Sequence, residues 1–351
     1  MIKGLRILLI LASFLLLSGA AETGRADVPT LITLLGDPAS SQNRAAAAVT
    51  LGRMGPTAAA AVPALTRALD DSTPVVRQSA AYALGKIGPV VASERETLRS
   101  LMRLLTDSRQ PAQVRQTAAW AIGSVGLPEE TIPALLSALE DPSAPVRKTA
   151  VEALDKPGLS SDSIRKIVNI LTDPEEQVRQ AAASSVGQIG MAAVPALLTL
   201  LVDHPGVPIE QAVGSALQQM GPTALPVMVQ VMKDPKMQED LRRNATWALG
   251  KIGPSAIGDL TQALNDPVWK VREAAARSLG EIGPPVAERS DAIRALVDSL
   301  DDSEWQVREA SARALGAIGA REARDALMVA LSDSSMQVRQ AAAWALETIG
   351  S

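Results

Sequence analysis

The sequence predicts an all-α solenoid assembled from ten stacked helical hairpins, and three observations predict it. The first is self-similarity. An apolar residue followed by glycine closes each copy, at Gly55, Gly88, Gly126, Gly158, Gly190, Gly221, Gly253, Gly283, Gly319 and Gly350, 30 to 38 residues apart. A period in this range marks a repeat architecture. The second is composition: the 351 residues are 47% hydrophobic but only 2% aromatic. Rings and β-branched residues anchor sheet cores, so a core of Ala, Leu, Val and Ile points to closely packed helices. The third is apolar spacing within a copy, as at Val194, Leu197, Leu198 and Leu201, which is the period of one helix face.

Each copy reads as a helix A, a turn and a helix B. Proline stands in the first turn of several A helices (Pro63, Pro133, Pro195, Pro226), where it removes no helical hydrogen bond. An Asp followed by Pro or Ser, as at Asp173-Pro174 and Asp302-Ser303, ends helix A and makes the turn. Helix B opens near Val-Arg and carries Ala at successive inner positions, so that neighbouring backbones can approach. The terminal glycine is expected as a left-handed C-cap. Neither helix can bury its apolar stripe alone, so the copies must stack.

Residues 1–20 are set apart. Lys3 and Arg6 precede an apolar run from Ile7 to Leu17, and Ser18-Gly19-Ala20 supplies small residues for cleavage. This is the pattern of a secretory signal peptide. Ile7 to Ala21 falls short of the ~20 residues that span a bilayer; retention as a membrane anchor is the alternative. Cleavage takes the formal net charge from −4 to −6 through loss of Lys3 and Arg6. The expected location is periplasmic or secreted, and the absence of Cys means that the fold uses no disulfide there. The domain expectation is a signal peptide at 1–20 and a repeat array at 28–350.

The phrase Val-Arg-x-x-Ala-Ala-x-Ala-Leu-Gly-x-Ile-Gly, as at Val76–Gly88 and, with one Ser, at Val307–Gly319, resembles the HEAT repeat. It is similar to the HEAT-like repeats of phycobilisome lyases and bacterial HEAT scaffold proteins. The resemblance implies a right-handed α-solenoid of about ten stacked HEAT-like helical hairpins. It also implies a ladder between copies, made from a turn Asp and an early helix B Arg: Asp71/Arg77, Asp141/Arg147, Asp173/Arg179, Asp266/Arg272, Asp302/Arg308 and Asp333/Arg339. The spacing lengthens at Asp37/Arg44, Asp107/Arg115 and Asp234/Arg242. Copies four to six break the pattern, with Asp155 replacing a glycine before Lys156-Pro157-Gly158, and Glu210 replacing the ladder Arg after His204-Pro205-Gly206. A bend or flexible seam is expected near 155–162 and 204–210.

Composition closes most catalytic routes. One His and no Cys exclude thiol catalysis and zinc sites of the usual N/S type. His204 lies in a Pro/Gly loop, no GxxxxGK[ST] phosphate loop occurs, and the mildly acidic charge argues against nucleic acid. No enzyme activity, metal or cofactor is expected. One constellation remains. Counting from the ladder Arg, positions +1, +5 and +9 form one stripe of helix B opposite its core face, and the resemblance puts that stripe on the concave surface. Position +5 holds Tyr82, Trp120, Trp247, Arg277, Arg313 and Trp344, aromatics and Arg being the residues that dominate interfaces. A second register, Trp269 and Trp305 continued by Met336, is expected to pack at the first turn of helix B. The reading is an exported scaffold or adaptor that binds a protein or extended peptide at these six positions, without stable membrane insertion. The alternatives are a bilin lyase/isomerase-like enzyme, from the resemblance, or a glycan-binding solenoid. End-to-end self-association is a further expectation, because no polar capping helix is recognisable.

Overall fold

The computed structural model describes residues 27–350; the expected signal peptide lies outside the described residues. Twenty α-helices form ten A–B pairs among the described residues. In chain order they are α1 (Val28–Leu35), α2 (Ser41–Met54), α3 (Val62–Ala68), α4 (Pro74–Ile87), α5 (Arg95–Thr106), α6 (Ala112–Ser124), α7 (Ile132–Ala138), α8 (Ala144–Ala153), α9 (Ser161–Asn169), α10 (Glu176–Ile189), α11 (Val194–Asp203), α12 (Val207–Met220), α13 (Leu225–Lys233), α14 (Glu239–Ile252), α15 (Ile257–Ala263), α16 (Trp269–Ile282), α17 (Ser290–Asp298), α18 (Trp305–Ile318), α19 (Arg324–Ala330) and α20 (Met336–Gly350). Odd numbers are A helices and even numbers B helices. The fold is all-α and built of stacked hairpins.

The chain divides into two compact units. The first runs to Lys156 and includes Thr172–Ser185; the second comprises Pro157–Leu171 and Val186 onward. In the first unit α2, α4, α6 and α8 pack successively, B helix on B helix; in the second, α14, α16, α18 and α20 do the same. Small residues permit this. A methyl group built on Gly52 would lie 2.9 Å from the Ala83 Cα, and one on Gly280 would lie 2.9 Å from the Ala314 Cα. The cores are aliphatic, with Leu51, Leu84 and Ile122 fully buried in one unit and Leu249, Leu279 and Leu315 in the other.

The caps correct one expectation. Nine of the ten terminal glycines do have positive φ, and Gly319, at φ 77° and ψ 32°, is left-handed as expected, but five others are not. Gly55, Gly88, Gly221, Gly253 and Gly283 combine positive φ with ψ between −134° and −151°. That region is essentially closed to side-chain-bearing residues. The extended ψ turns the chain directly into the 3₁₀ segment that precedes the next A helix, whereas an αL cap would curl it back. The stretch Glu176–Asp203 is long and apolar enough, by composition, to cross a membrane, yet 56% of its most apolar window is buried in the fold. Gly190, at φ 74°, divides it into α10 and α11.

The ladder has a different wiring from the six-residue pairing that the sequence displays. Within a copy, the Arg Nη1 donates to the main-chain carbonyl of its own turn Asp, as in Arg77 to Asp71 at 2.6 Å and Arg308 to Asp302 at 2.8 Å. The carboxylate instead receives the Arg of the preceding copy through two parallel bonds. Arg44–Asp71, Arg115–Asp141 and Arg147–Asp173 close at 2.6–2.7 Å in the first unit, and Arg272–Asp302 and Arg308–Asp333 at 2.6–2.7 Å in the second. Arg242 reaches Asp266 through Nη2 alone, its Nε donating to the Met232 carbonyl at 2.8 Å. Where the turn is longer, Arg77 reaches the Gln110 Oε1 at 2.9 Å, and Gln110 donates onward to Asp107. Each turn Asp also accepts a main-chain N–H two residues on, for example Ser143 to Asp141 at 2.8 Å.

These bonds set the charge states. At Asp71 and Asp333 the Arg hydrogen bond holds the carboxyl below its ordinary range. At Asp141, Asp173 and Asp302 burial pushes upward, and the Arg and turn N–H groups outweigh it, so the net direction is again downward. A depressed folded-state pKa adds stability that is complete above the unfolded value of about 3.9 and disappears as pH falls through the folded one. The thermal midpoint is therefore expected to hold between pH 7 and 5 and to fall below about pH 4. Asp141→Ala strands Arg115, whose side chain is only 8% exposed; urea unfolding at pH 7 should show a loss of about 3 kcal/mol. The gap between this variant and the wild type should narrow at pH 3. A constant gap would assign the loss to packing alone.

Candidate protein-binding surface

The exposed stripe of the B helices begins with a constraint. Because B helices approach over Gly and Ala, the +5 side chain of one helix projects across the preceding B helix. Tyr82 and Trp120, in the first unit, are half-buried in this way. Their rings stack at 5.5 Å between centroids and 18° between planes. The six-membered edge of Trp120 crosses the Gly85 backbone, where an added Cβ would meet the ring at 2.5 Å. Lys86, at +9, covers both rings, with its Nζ 5.8 Å from the Tyr82 centroid and 5.6 Å from that of Trp120. The outer face of this pair is thus capped by the chain's own cation.

In the second unit the same register holds Trp247, Arg277, Arg313 and Trp344. Trp247 is half-buried beneath Lys251, whose Nζ is 5.1 Å from the ring. Lys251 also donates to the Glu281 Oε2 at 2.6 Å. Arg277, Glu281, Glu309, Arg313 and Trp344 then line one cleft of about 370 Å³, floored by Gly280, Ala310, Ala314 and Ala317. The structure therefore brings three of the predicted residues into a single site and joins Trp247 to its wall through Lys251. Tyr82 and Trp120 form a separate group in the other unit.

Two features of the cleft are invisible in a one-dimensional reading. Each Arg is already answered by a carboxylate one turn earlier on its own helix: Glu273 for Arg277 at 2.5 Å, and Glu309 for Arg313. Both Glu side chains are 17% exposed. Burial raises the Glu273 carboxyl above its usual range, against the pull of Arg277 and Arg243. The two Arg side chains remain over 60% exposed. Trp344, 45% exposed, rests its ring on Gly316 and leaves much of its area free. The cleft therefore offers an indole face beside two guanidinium groups held upright by buried partners, an arrangement suited to a carbonyl- or carboxylate-bearing segment.

The second aromatic register departs from expectation. Trp269 is half-buried, but Trp305 and Met336 are 40% and 55% exposed, so the packing reading is corrected for these two. A helical side chain leans over the turn on the N-terminal side of its own Cα; the first residue of a helix has no such turn beneath it, and of the three Trp269 keeps the most cover. His204 caps the C-terminus of α11 and is exposed. Among the described residues, no group of three or more His, Asp or Glu is placed to hold a metal.

The packing of rings on glycine is open to test. Gly85→Ala forces the Trp120 ring or the α6 backbone to shift, and an overpacked contact of this kind costs about 1–3 kcal/mol. Urea unfolding should show that loss. The tryptophan emission should change with it, whereas Gly85→Ala in a Trp120→Ala background should cost less.

Comparison with known proteins agrees with the repeat fold. The chain matches the family profile described as HEAT repeats over residues 28–112, 100–168, 164–239, 235–301 and 293–351. No curated protein matches significantly. Among solved structures, Kap121p bound to Nup53p is similar at 15% identity, with a TM-score of 0.53, over 97% of this chain and 43% of that one. An engineered protein is similar at 22% identity, with a TM-score of 0.43, over 93% and 100% of the two chains. Human deoxyhypusine hydroxylase is similar at 20% identity, with a TM-score of 0.33, over 92% and 96%. The chain spans less than half of Kap121p, and at these identities the likeness is one of fold. The repeat phrase, the paired helices and the family profile agree along the described chain, which belongs to the HEAT-repeat family.

Proposed function

We propose that this chain is a non-catalytic scaffold or adaptor, exported from the cytoplasm, that holds a protein or extended peptide along the B-helix stripe. One observation carries the reading: Arg277, Arg313 and Trp344, from three successive B helices, line the same cleft. Serial presentation of one residue per copy suits an extended partner. Kap121p, which shares the fold, is itself found bound to Nup53p. The export half of the proposal rests on the signal-like residues 1–20.

Binding and packing predict different outcomes. Trp344→Ala should weaken capture of a partner from the exported fraction by about 1–2 kcal/mol, roughly 5–30-fold in Kd. Unfolding stability should fall by about 1–2 kcal/mol, short of the ~3–5 kcal/mol of a fully buried indole, because nearly half of the side chain is already in water. Arg277→Ala should behave similarly. A large stability loss with unchanged capture would make these residues structural, and an appearance of the mature chain only in the cytosol would remove the export reading.

A further inference from the structure

A second surface lies at the other end of the B helices, at the A–B turns of the second unit. Trp269, Trp305 and Met336 are the first residues of α16, α18 and α20, three helices that pack in succession. They therefore form a row, one side chain per copy. Packed helices are ~8–10 Å apart, close to the ~9 Å between residues i and i+3 of a polyproline II chain, which share one face because that helix has three residues per turn. Trp305 and Met336 expose 40% and 55% of their area.

Charge identifies what this row fits. Among the described residues, lysine caps fall on Tyr82, Trp120 and Trp247. Trp305 instead follows a run of carboxylates in the chain. The turn aspartates Asp266, Asp302 and Asp333 are taken by the ladder. Asp298, Asp301 and Glu304, within seven residues of Trp305 in the chain, enter no ion pair among the described residues, and Asp298 and Asp301 are exposed. An indole face with surrounding negative charge is complementary to a guanidinium or ammonium group.

We propose that this edge docks a basic peptide in the polyproline II conformation. An Arg or Lys side chain stacks on Trp305 and is neutralised by Asp301, Glu304 and Asp298. Apolar side chains three positions to either side rest on Trp269 and Met336. The ligand pattern is apolar-x-x-basic-x-x-apolar, and the surface is separate from the B-helix stripe.

The test is fluorescence anisotropy with the full chain and two labelled peptides, Leu-Ser-Ser-Arg-Ser-Ser-Leu and the same sequence with Glu for Arg. The Arg peptide should bind, and the Glu peptide at least tenfold more weakly. Trp305→Ala should weaken the Arg peptide fivefold or more. The surface double variant Asp301→Asn/Glu304→Gln, which leaves the ladder intact, should do the same and flatten the salt dependence. Trp344→Ala should have no effect. The proposal is overturned if the Arg peptide fails to bind at millimolar concentration or if both peptides bind equally. It is also overturned if Trp305→Ala, folded by circular dichroism, leaves affinity unchanged, or if the loss follows Trp344 instead.

Discussion

The bidentate pairing of an arginine in one copy with the turn aspartate of the next is the interaction on which the stacking register depends. Its guanidinium faces two copies at once: one nitrogen holds the carbonyl of its own turn, and the other edge holds the neighbour's carboxylate, as Arg147 does with Asp141 and Asp173. Exposed ion pairs of this type contribute little singly. These side chains are mostly 4–15% exposed, so loss of one partner leaves an uncompensated charge, and a shifted register would do the same at every rung. Copies that depart from the pattern do so together: Glu210 cannot serve as a rung, and Asp234, in the turn that follows it, keeps the main-chain N–H of Lys236 but enters no ion pair among the described residues.

The close approach that the ladder permits also decides where aromatic area can go. With Gly and Ala at the B–B contacts, the interior has no room for an indole, and the rings lie across the glycine of the preceding helix. Trp120 over Gly85 and Trp344 over Gly316 are the same solution in two units. The packing and binding readings of these positions are therefore compatible: one edge of each ring seals an inter-helix seam while the other face is available. Lysine at +9 then differentiates the copies. Trp247 is covered by Lys251, whereas Trp344 is flanked by Thr348 at that position and remains open to the cleft.

The second unit consequently presents two chemically distinct surfaces on the same helices. Along the stripe, guanidinium groups stand beside an indole, each held by a carboxylate one turn away. At the turn edge, an exposed indole follows Asp298, Asp301 and Glu304, which enter no ion pair among the described residues. Opposite polarities at the two places favour different ligands, and one extended segment is poorly suited to both.

The repeat, the helical hairpin, the turn aspartate and the candidate register were all legible in the sequence, because each is a local pattern repeated ten times. A 3.6-residue period, a glycine at a fixed phase and an alanine run need no knowledge of distant contacts. Three things were decided only by the tertiary structure. Ladder partners come from adjacent copies, some 25–30 residues away, so six-residue spacing showed the participants without the wiring. The grouping of Arg277, Arg313 and Trp344 into one cleft depends on how three helices pack. Exposure of Trp305 and Met336, against the cover kept by Trp269 at the equivalent helix start, depends on how each copy packs, where composition indicates only large apolar residues. Local sequence sets which conformations are allowed; the packing of one copy on the next decides which side chains are left facing water.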